Sequence, residues 1–171
     1  MVVKKNLEEL PKDNLITPHG HKALTDEVER LWRVDRPKIV DEVHHAALQG
    51  DRSENAEYIY GKKKLREIDR RLEFLQRRIG RAKVIDPVRQ AGNVIEFGAT
   101  VTVKGDDNKT KIYSIVGEDE AAPDRRLISW KSPIGEALLG RKPGDIVEVE
   151  TPRGVIELEV IQFAFQVLDQ S

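Results

Sequence analysis

The chain has 171 residues, of which 35% are charged, yet its 29 basic and 30 acidic residues leave a net charge of only -1. This length allows one or two domains, and the hydrophobic content of 39% argues against wholesale disorder. The absence of cysteine excludes disulfides, thiolate metal sites and cysteine nucleophiles. Because no apolar run approaches about 20 residues and the first residues lack the apolar stretch of a secretory signal, we expect a cytoplasmic protein that does not span or bind a membrane.

The sequence pattern predicts four segments in chain order. We expect an N-terminal extension over 1–16, an antiparallel coiled-coil hairpin over 17–85 with its tip loop at 49–54, a linker over 86–92 and a compact domain over 93–171. The predicted hairpin carries 16 basic and 12 acidic residues, a net of +4, whereas residues 86–171 carry 10 and 15, a net of -5. The near-zero total charge therefore conceals two halves of opposite sign, which points to an electrostatic partner on one side.

Two amphipathic helices make up the predicted hairpin. Thr17-Pro18 has the form of a helix start, with threonine as the N-cap and proline at the first position. Pro37 interrupts the first helix and predicts a kink there. Polar residues 49–53 form a loop short enough to join antiparallel helices. The apolar seam of the first helix is Leu24, Val28, Leu31, Ile39, Val43 and Ala46, and that of the second is Leu65, Ile68, Leu72, Leu75, Ile79 and Ala82.

Basic residues on the second helix occur as doublets seven residues apart. One member of each doublet flanks the seam, and we expect Lys64, Arg71 and Arg78 to pair with acids of the first helix. The remaining cations point away from the partner helix, where packing requires no charge, and thus suggest a negatively charged surface or nucleic acid beside the hairpin. The spacing gives this basic face Lys63, Arg70 and Arg77, and Arg66 lies between the first two doublets as a further candidate.

The second half reads as an antiparallel β-sheet with one short helix, which makes the chain α+β. Ser132-Pro133 would cap that helix, and Gly105 to Asn108 would form a hairpin turn. The four histidines lack metal-ligand spacing, and the sequence contains no phosphate-binding loop or nucleophile elbow. The predicted strands are Val94 to Val103, Lys111 to Val116, Arg126 to Trp130, Asp145 to Thr151 and Val155 to Phe165.

Two carboxylates in the tip loop allow two interpretations. Asp51 and Glu54 have capping-box spacing, or Ser53 is the N-cap with Glu54 in the first turn, and spacing alone favours capping. The same carboxylates lie at the exposed end of a long hairpin, where they could be delivered into a cavity of another macromolecule. There they could help to hold a hard cation such as Mg²⁺, although they are too few to bind it tightly alone. The two roles are compatible.

Three separated motifs, GDRSENAEY, KKKLREIDRRLEFL and SPIGEALLGRKPGDIVEVETPRG, together resemble the bacterial Gre transcript cleavage factors over about Leu15 to Leu168. The resemblance implies a monomeric accessory factor whose hairpin enters the secondary channel of bacterial RNA polymerase and stimulates cleavage of backtracked RNA. It assigns Asp51 and Glu54 to the catalytic tip, where a Mg²⁺ ion is shared with the polymerase and no cofactor is bound stably by the chain alone. Arg52, Ser53 and Asn55 would support the tip, and the basic face would lie near the 3' segment of the nascent RNA.

The second domain is similar to the FKBP-like domain of Gre factors, which docks on a coiled coil at the rim of the polymerase channel. Ser132, Pro133 and Ile134 match the docking segment, whereas Lys131 replaces an acidic residue of well-known members. Two alternatives remain open: a regulator that enters the same channel and inhibits the polymerase without cleavage, and a general RNA-binding coiled coil.

Overall fold

The computed structural model describes residues 14–50 and 54–168, which form two separate units. One unit is the hairpin, Lys22–Arg81, and the other combines the segment before it with the residues from Ala82 onwards. Within the described part of the chain, no helix is long and apolar enough to cross a membrane. The α+β class, the helical hairpin and the sheet domain with a short helix are confirmed.

The hairpin contains the two predicted antiparallel arms. The first arm consists of α1 (Pro18–Arg30), a π-helical segment (Leu31–Asp35) and α2 (Arg36–Ala47), and the second is α3 (Ala56–Gly80). The seam of α3 is buried at Ile68, Leu72 and Leu75 as the heptad predicts. The predicted seam is wrong at Ala82, because α3 ends at Gly80 and Ala82 begins a strand.

The π-helical segment is the structural response to Pro37. Its ring would clash with the carbonyl four residues earlier in a regular α-helix, and it has no N–H to donate. The wider turn leaves the N–H of Arg36 bonded to the carbonyl of Leu31, five residues earlier. The kink was predicted at Pro37, and the observed distortion is the π-helical turn immediately before it.

Ion pairs and a close backbone approach connect the two arms. Arg71 donates to both carboxylate oxygens of Glu27, at 2.7 and 3.0 Å, which confirms the predicted interhelical role of Arg71. Arg36 on the first arm donates to Asp69 at 2.8 Å. Nearer the tip, a methyl group at Gly61 would lie 2.6 Å from Val43 Cγ2, so the absence of a side chain allows the arms to approach.

Two short parallel strands flank the hairpin, one before it in the chain and one after it. Strand β1 (Asn14–Ile16) pairs with β2 (Ala82–Val84), and the side chain of Ile16 is fully buried. Residues 14–16 are thus part of the folded unit, and the predicted extension over 1–16 is wrong for them. The first turn of α1 is fixed within the same unit, because Glu120 accepts hydrogen bonds from the N–H and the hydroxyl of Thr17.

Five strands form the main sheet, in the order β5-β4-β3-β7-β6. All neighbours are antiparallel except β4 and β5, which are parallel, so the prediction of an antiparallel sheet is wrong at this edge. The connection between them contains two short 3-10 turns and leads the chain back beside β4. The strands are β3 (Ala99–Gly105), β4 (Thr110–Val116), β5 (Leu127–Ser129), β6 (Ile146–Thr151) and β7 (Gly154–Phe165).

The core of this unit lies between the inner face of the sheet and α4 (Pro133–Leu138). Ile95 and Phe97 are buried there, but they lie in a loop and not in the strand predicted from Val94. The backbone of Ile95 pairs with the segment after α4, since its N–H donates to the carbonyl of Arg141. The predicted turn after Gly105 is confirmed, because the Gly105 carbonyl accepts from the N–H of Asn108 at 3.0 Å.

Candidate functional site: the hairpin tip and the basic face

The hairpin tip is described on both sides of the loop. Helix α2 ends at Ala47, after which the N–H groups of Leu48 and Gln49 donate to the carbonyls of His45 and Ala46, each at 3.2 Å. The predicted site residues Asp51, Arg52 and Ser53 lie outside the described residues. Of the two predicted tip carboxylates, the structure therefore describes Glu54 alone.

Asn55 is the N-cap of α3. Its side-chain oxygen accepts a hydrogen bond from the N–H of Tyr58 at 3.1 Å, which satisfies one of the unpaired donors of the first turn. Its side-chain nitrogen donates to the carbonyl of Ala46 at 2.6 Å, on the opposite arm. One amide thus caps one helix and holds the end of the other. The prediction that Asp51 with Glu54, or Ser53, caps this helix is wrong.

Glu54 lies immediately before the N-cap and is exposed. Because Asn55 supplies the capping oxygen, the fold of α3 does not require the Glu54 carboxylate for that purpose. A carboxylate that remains in water at the end of a hairpin is available to a group brought against it from outside. The prediction that Glu54 acts at the tip gains a physical basis from this placement.

The chain alone does not provide a complete metal site in its described part. No group of three or more His, Asp or Glu side chains with metal-binding geometry occurs among the described residues. A hard cation such as Mg²⁺ takes about six oxygen ligands, and one or two carboxylates supply only part of that set. The donor chemistry at the tip therefore fits a shared site, in which a partner supplies the other oxygens.

The predicted basic face is exposed on α3, but its four members differ. Among the described residues, no carboxylate pairs with Lys63, Arg66 or Arg70, whose side chains project into water. Arg77 instead forms an ion pair with Glu73 on its own helix, at 2.8 Å. The charge that this face leaves available for an outside partner therefore lies between Lys63 and Arg70.

Aromatic residues accompany these cations, and sequence reasoning did not assign them a role. Tyr60 is 63% exposed and Phe74 is 37% exposed. Tyr60 precedes Lys63 and Lys64 by three and four residues, which places the three side chains next to one another on a helix. The signal that could have identified Tyr60 is its position outside the seam, where packing does not require an aromatic ring.

In the other unit, the predicted docking segment surrounds the start of α4. Ser132 is the N-cap, because its hydroxyl accepts from the N–H of Gly135 at 3.1 Å and donates to the carbonyl of Ser129 at 2.6 Å. Pro133 is exposed, and Ile134 is half-buried against the core. The side chain available for contact with a partner is thus that of Pro133, with part of Ile134.

Lys131 forms contacts of its own beside this segment. Its ammonium lies 3.3 Å from Glu118 and 5.1 Å from the centroid of the Trp130 ring. The indole N–H of Trp130 is buried without a hydrogen-bond partner among the described residues. The positive charge that distinguishes this segment is therefore partly neutralised within the unit.

Comparisons with known proteins agree with this two-part organisation. The family model described as "Transcription elongation factor, N-terminal" matches residues 14–84, and that described as "Transcription elongation factor, GreA/GreB, C-term" matches residues 90–165. The boundary between the two models falls after the strand that follows the hairpin. Together the models cover both described units.

Similar full-length proteins include two named transcription elongation factor GreB. The protein from Yersinia pestis is 44% identical over 162 residues, which are 94% of each chain. The protein from Haemophilus influenzae is 49% identical over 152 residues, which are 88% of this chain and 96% of that one. The crystal structure of GreA factor homolog 1 of Thermus thermophilus is 24% identical, covers 89% of this chain and 99% of that chain, and has a TM-score of 0.42.

Proposed function

Because the chain belongs to the GreA/GreB family of transcription elongation factors, we propose that it binds bacterial RNA polymerase and stimulates the cleavage of backtracked nascent RNA. It acts as an accessory factor in the cytoplasm, and the polymerase carries out the reaction. The observation that carries the proposal is the placement of Glu54, an exposed carboxylate at the hairpin tip that capping does not use.

The hairpin is the part that enters the secondary channel of the polymerase. Helix α3 has 25 residues and therefore extends on the order of 37 Å at 1.5 Å per residue. Cross-arm ion pairs and the close approach at Gly61 stiffen the two helices along this length. A charged, narrow and rigid element of this size can bring its tip to a buried reaction centre.

At the tip, Asp51 and Glu54 would hold a Mg²⁺ ion jointly with oxygen ligands of the polymerase. When bound, the ion supplies Lewis-acid stabilisation of the charge that develops during phosphodiester hydrolysis. Asp51 is the proposed direct ligand. Glu54 is the proposed acceptor that orients the attacking water, and Asn55 holds the ends of both helices so that Glu54 stays at the tip. Arg52 and Ser53, the loop residues between them, are proposed to support these two carboxylates.

The basic face contacts the displaced 3' segment of the RNA. Lys63, Arg66 and Arg70 supply the positive charge, and Arg77 contributes once its pair with Glu73 opens. The other unit docks on the coiled coil at the channel rim through Ser132, Pro133 and Ile134. Since the Ser132 hydroxyl is committed to the cap, Pro133 and Ile134 provide the contact surface of this segment.

The test adds the purified protein to polymerase complexes that have been backtracked by a defined number of nucleotides. Release of short 3' RNA fragments is expected with the wild-type protein and with a control, Glu57→Gln with Asp106→Asn, that removes two exposed acids outside the predicted tip pair. The variant Asp51→Asn with Glu54→Gln is expected to lose the stimulation. Cleavage by this variant at the wild-type rate would refute the tip mechanism, and slower synthesis on unpaused complexes without fragments would identify a channel inhibitor.

A further inference from the structure

We propose that Tyr60 is a stacking platform for one base of the backtracked RNA, so that the basic face binds bases as well as phosphates. This inference rests on the proposed function, because it takes the RNA segment beside the hairpin as the ligand. It assigns to Tyr60 a stacking contact with a base, in addition to the charge contacts of the cations of α3.

Exposure is the first observation behind this assignment. The Tyr60 side chain is 63% exposed, although an aromatic ring on a helix gains most by burial in the seam. The neighbouring seam positions Gly61 and Ile68 are buried, whereas Tyr60 lines the groove between the arms and leaves most of its surface in water. Burial within the hairpin therefore accounts for only the smaller part of this ring.

The surroundings of Tyr60 combine a flat apolar ring with cations. Lys63 and Lys64 lie one turn further along α3, about 5–6 Å from Tyr60 between Cβ atoms for this spacing. Proteins that bind single-stranded nucleic acid use this combination, in which bases stack on aromatic rings while cations follow the backbone. A groove of about 510 Å³ opens beside Tyr60 between the two arms, and its charged lining is mixed, with Lys38, Lys64 and Arg71 as well as Asp35, Glu42 and Glu67. It leaves room for a base against the ring.

The position along the hairpin also fits. Tyr60 follows the N-cap by five residues and is therefore about 8 Å from the start of α3. A strand that passes the tip carboxylates and continues along the basic face meets Tyr60 before Lys63, Arg66 and Arg70. We therefore expect the stacked base to be a single nucleotide of the extruded segment, close to the cleaved bond.

Trp32 provides the matched comparison within the same unit. It is almost equally exposed, at 59%, but Arg36 lies over its ring at 5.6 Å and donates at the same time to Asp69. Arg33 beside it pairs with Glu29 at 3.2 Å. The cations around Trp32 are thus neutralised by carboxylates, so it has the ring without the free charge that a nucleic acid requires.

The experiment measures the affinity of fluorescently labelled protein for complexes whose extruded RNA carries one abasic nucleotide at each position in turn. For the wild-type protein, one abasic position is expected to weaken binding by about 5- to 150-fold, the range that stacking of one base gives. Tyr60→Leu is expected to bind complexes with intact RNA as weakly as the wild-type protein binds complexes with that abasic nucleotide. The same abasic nucleotide is expected to cause no further loss of affinity for Tyr60→Leu. Tyr60→Phe is expected to behave as wild type.

Trp32→Leu serves as the control and is expected to retain the wild-type dependence on the abasic position. The proposal is overturned if Tyr60→Leu binds intact complexes like the wild type, or if it retains the full abasic effect. The binding assay does not depend on cleavage. Failure of the wild-type protein to release RNA fragments would therefore overturn the proposed function, whereas the role of Tyr60 is decided by the affinities alone. Circular dichroism verifies that Tyr60→Leu keeps its helix.

Discussion

Asn55 shows how one side chain can determine the geometry of the whole tip. Its amide oxygen accepts a hydrogen bond from the N–H of Tyr58 in the first turn of α3. Its amide nitrogen donates to the carbonyl of Ala46 near the end of α2. An ionised aspartate could supply the capping oxygen, but it has no donor for the second arm. The asparagine amide provides one acceptor and one donor on separate atoms, and both are used here.

Replacement of Asn55 by alanine is expected to lower the free energy of unfolding by about 1–2 kcal/mol, because the cap and the cross-arm hydrogen bond are both lost. Asn55→Asp retains the acceptor and is expected to lie between alanine and wild type. Urea denaturation followed by circular dichroism measures the difference. Equal stability of the aspartate and asparagine forms would mean that the bond to Ala46 contributes nothing.

The ion pair between Glu27 and Arg71 acts at the scale of the hairpin element, because it links the two arms far from the tip. The hydrogen bond from Arg71 lowers the pKa of the Glu27 carboxyl below its ordinary value of 4.5, and partial burial opposes this effect. A carboxyl whose pKa is lower in the folded state stabilises the fold above the unfolded pKa. This contribution is lost as the pH falls through the folded pKa.

Glu27→Gln is therefore expected to be less stable than the wild-type protein at pH 7, by about 1 kcal/mol because both side chains of the pair remain partly exposed to water. The difference should shrink between pH 5 and pH 3 and vanish once Glu27 is protonated. Urea unfolding of both proteins at pH 7, 5 and 3 measures it. A difference that stays constant over this range would show that side-chain packing, and not charge, is responsible.

Periodic elements of this fold were predictable from the sequence, and non-local ones were not. The heptad identified α3 and its buried residues Ile68, Leu72 and Leu75, because the burial of each depends on spacing within one helix. Strand β1 has only three residues and pairs with a strand 68 positions later in the chain, so no periodicity reveals it. Strand β5 was predicted as part of Arg126 to Trp130, but its parallel pairing with β4 was not, because that pairing also depends on non-local contacts.

The candidate site was predictable in its charges but not in its contacts. The exposure of Lys63 and Arg70 was predictable because helical spacing places both away from the seam. The N-cap was assigned to the wrong residues, because several consecutive polar side chains in the loop satisfy the same spacing rule. Tertiary contact with Ala46 selects Asn55 among them, and such a contact has no signature in one sequence.

At the scale of the whole molecule, the two halves carry opposite charges. The predicted hairpin carries a net charge of +4 and the remainder after it carries -5, so the hairpin attracts a negatively charged partner more than the remainder does. In the proposed function, docking and cleavage depend on different units. A substitution at the hairpin tip should therefore abolish cleavage and leave docking intact, and a substitution in the docking surface should weaken docking.

A competition assay tests this separation. The variant Asp51→Asn with Glu54→Gln is expected to keep its docking surface and to inhibit cleavage by the wild-type protein, with half-inhibition at about equal concentrations. Addition of Pro133→Glu should abolish the inhibition, because it introduces a charge at the exposed contact position. The fold of α4 should tolerate it, since an acidic residue is favourable in the first turn of a helix. If the triple variant still inhibits as well as the double variant, Pro133 does not lie in the docking surface.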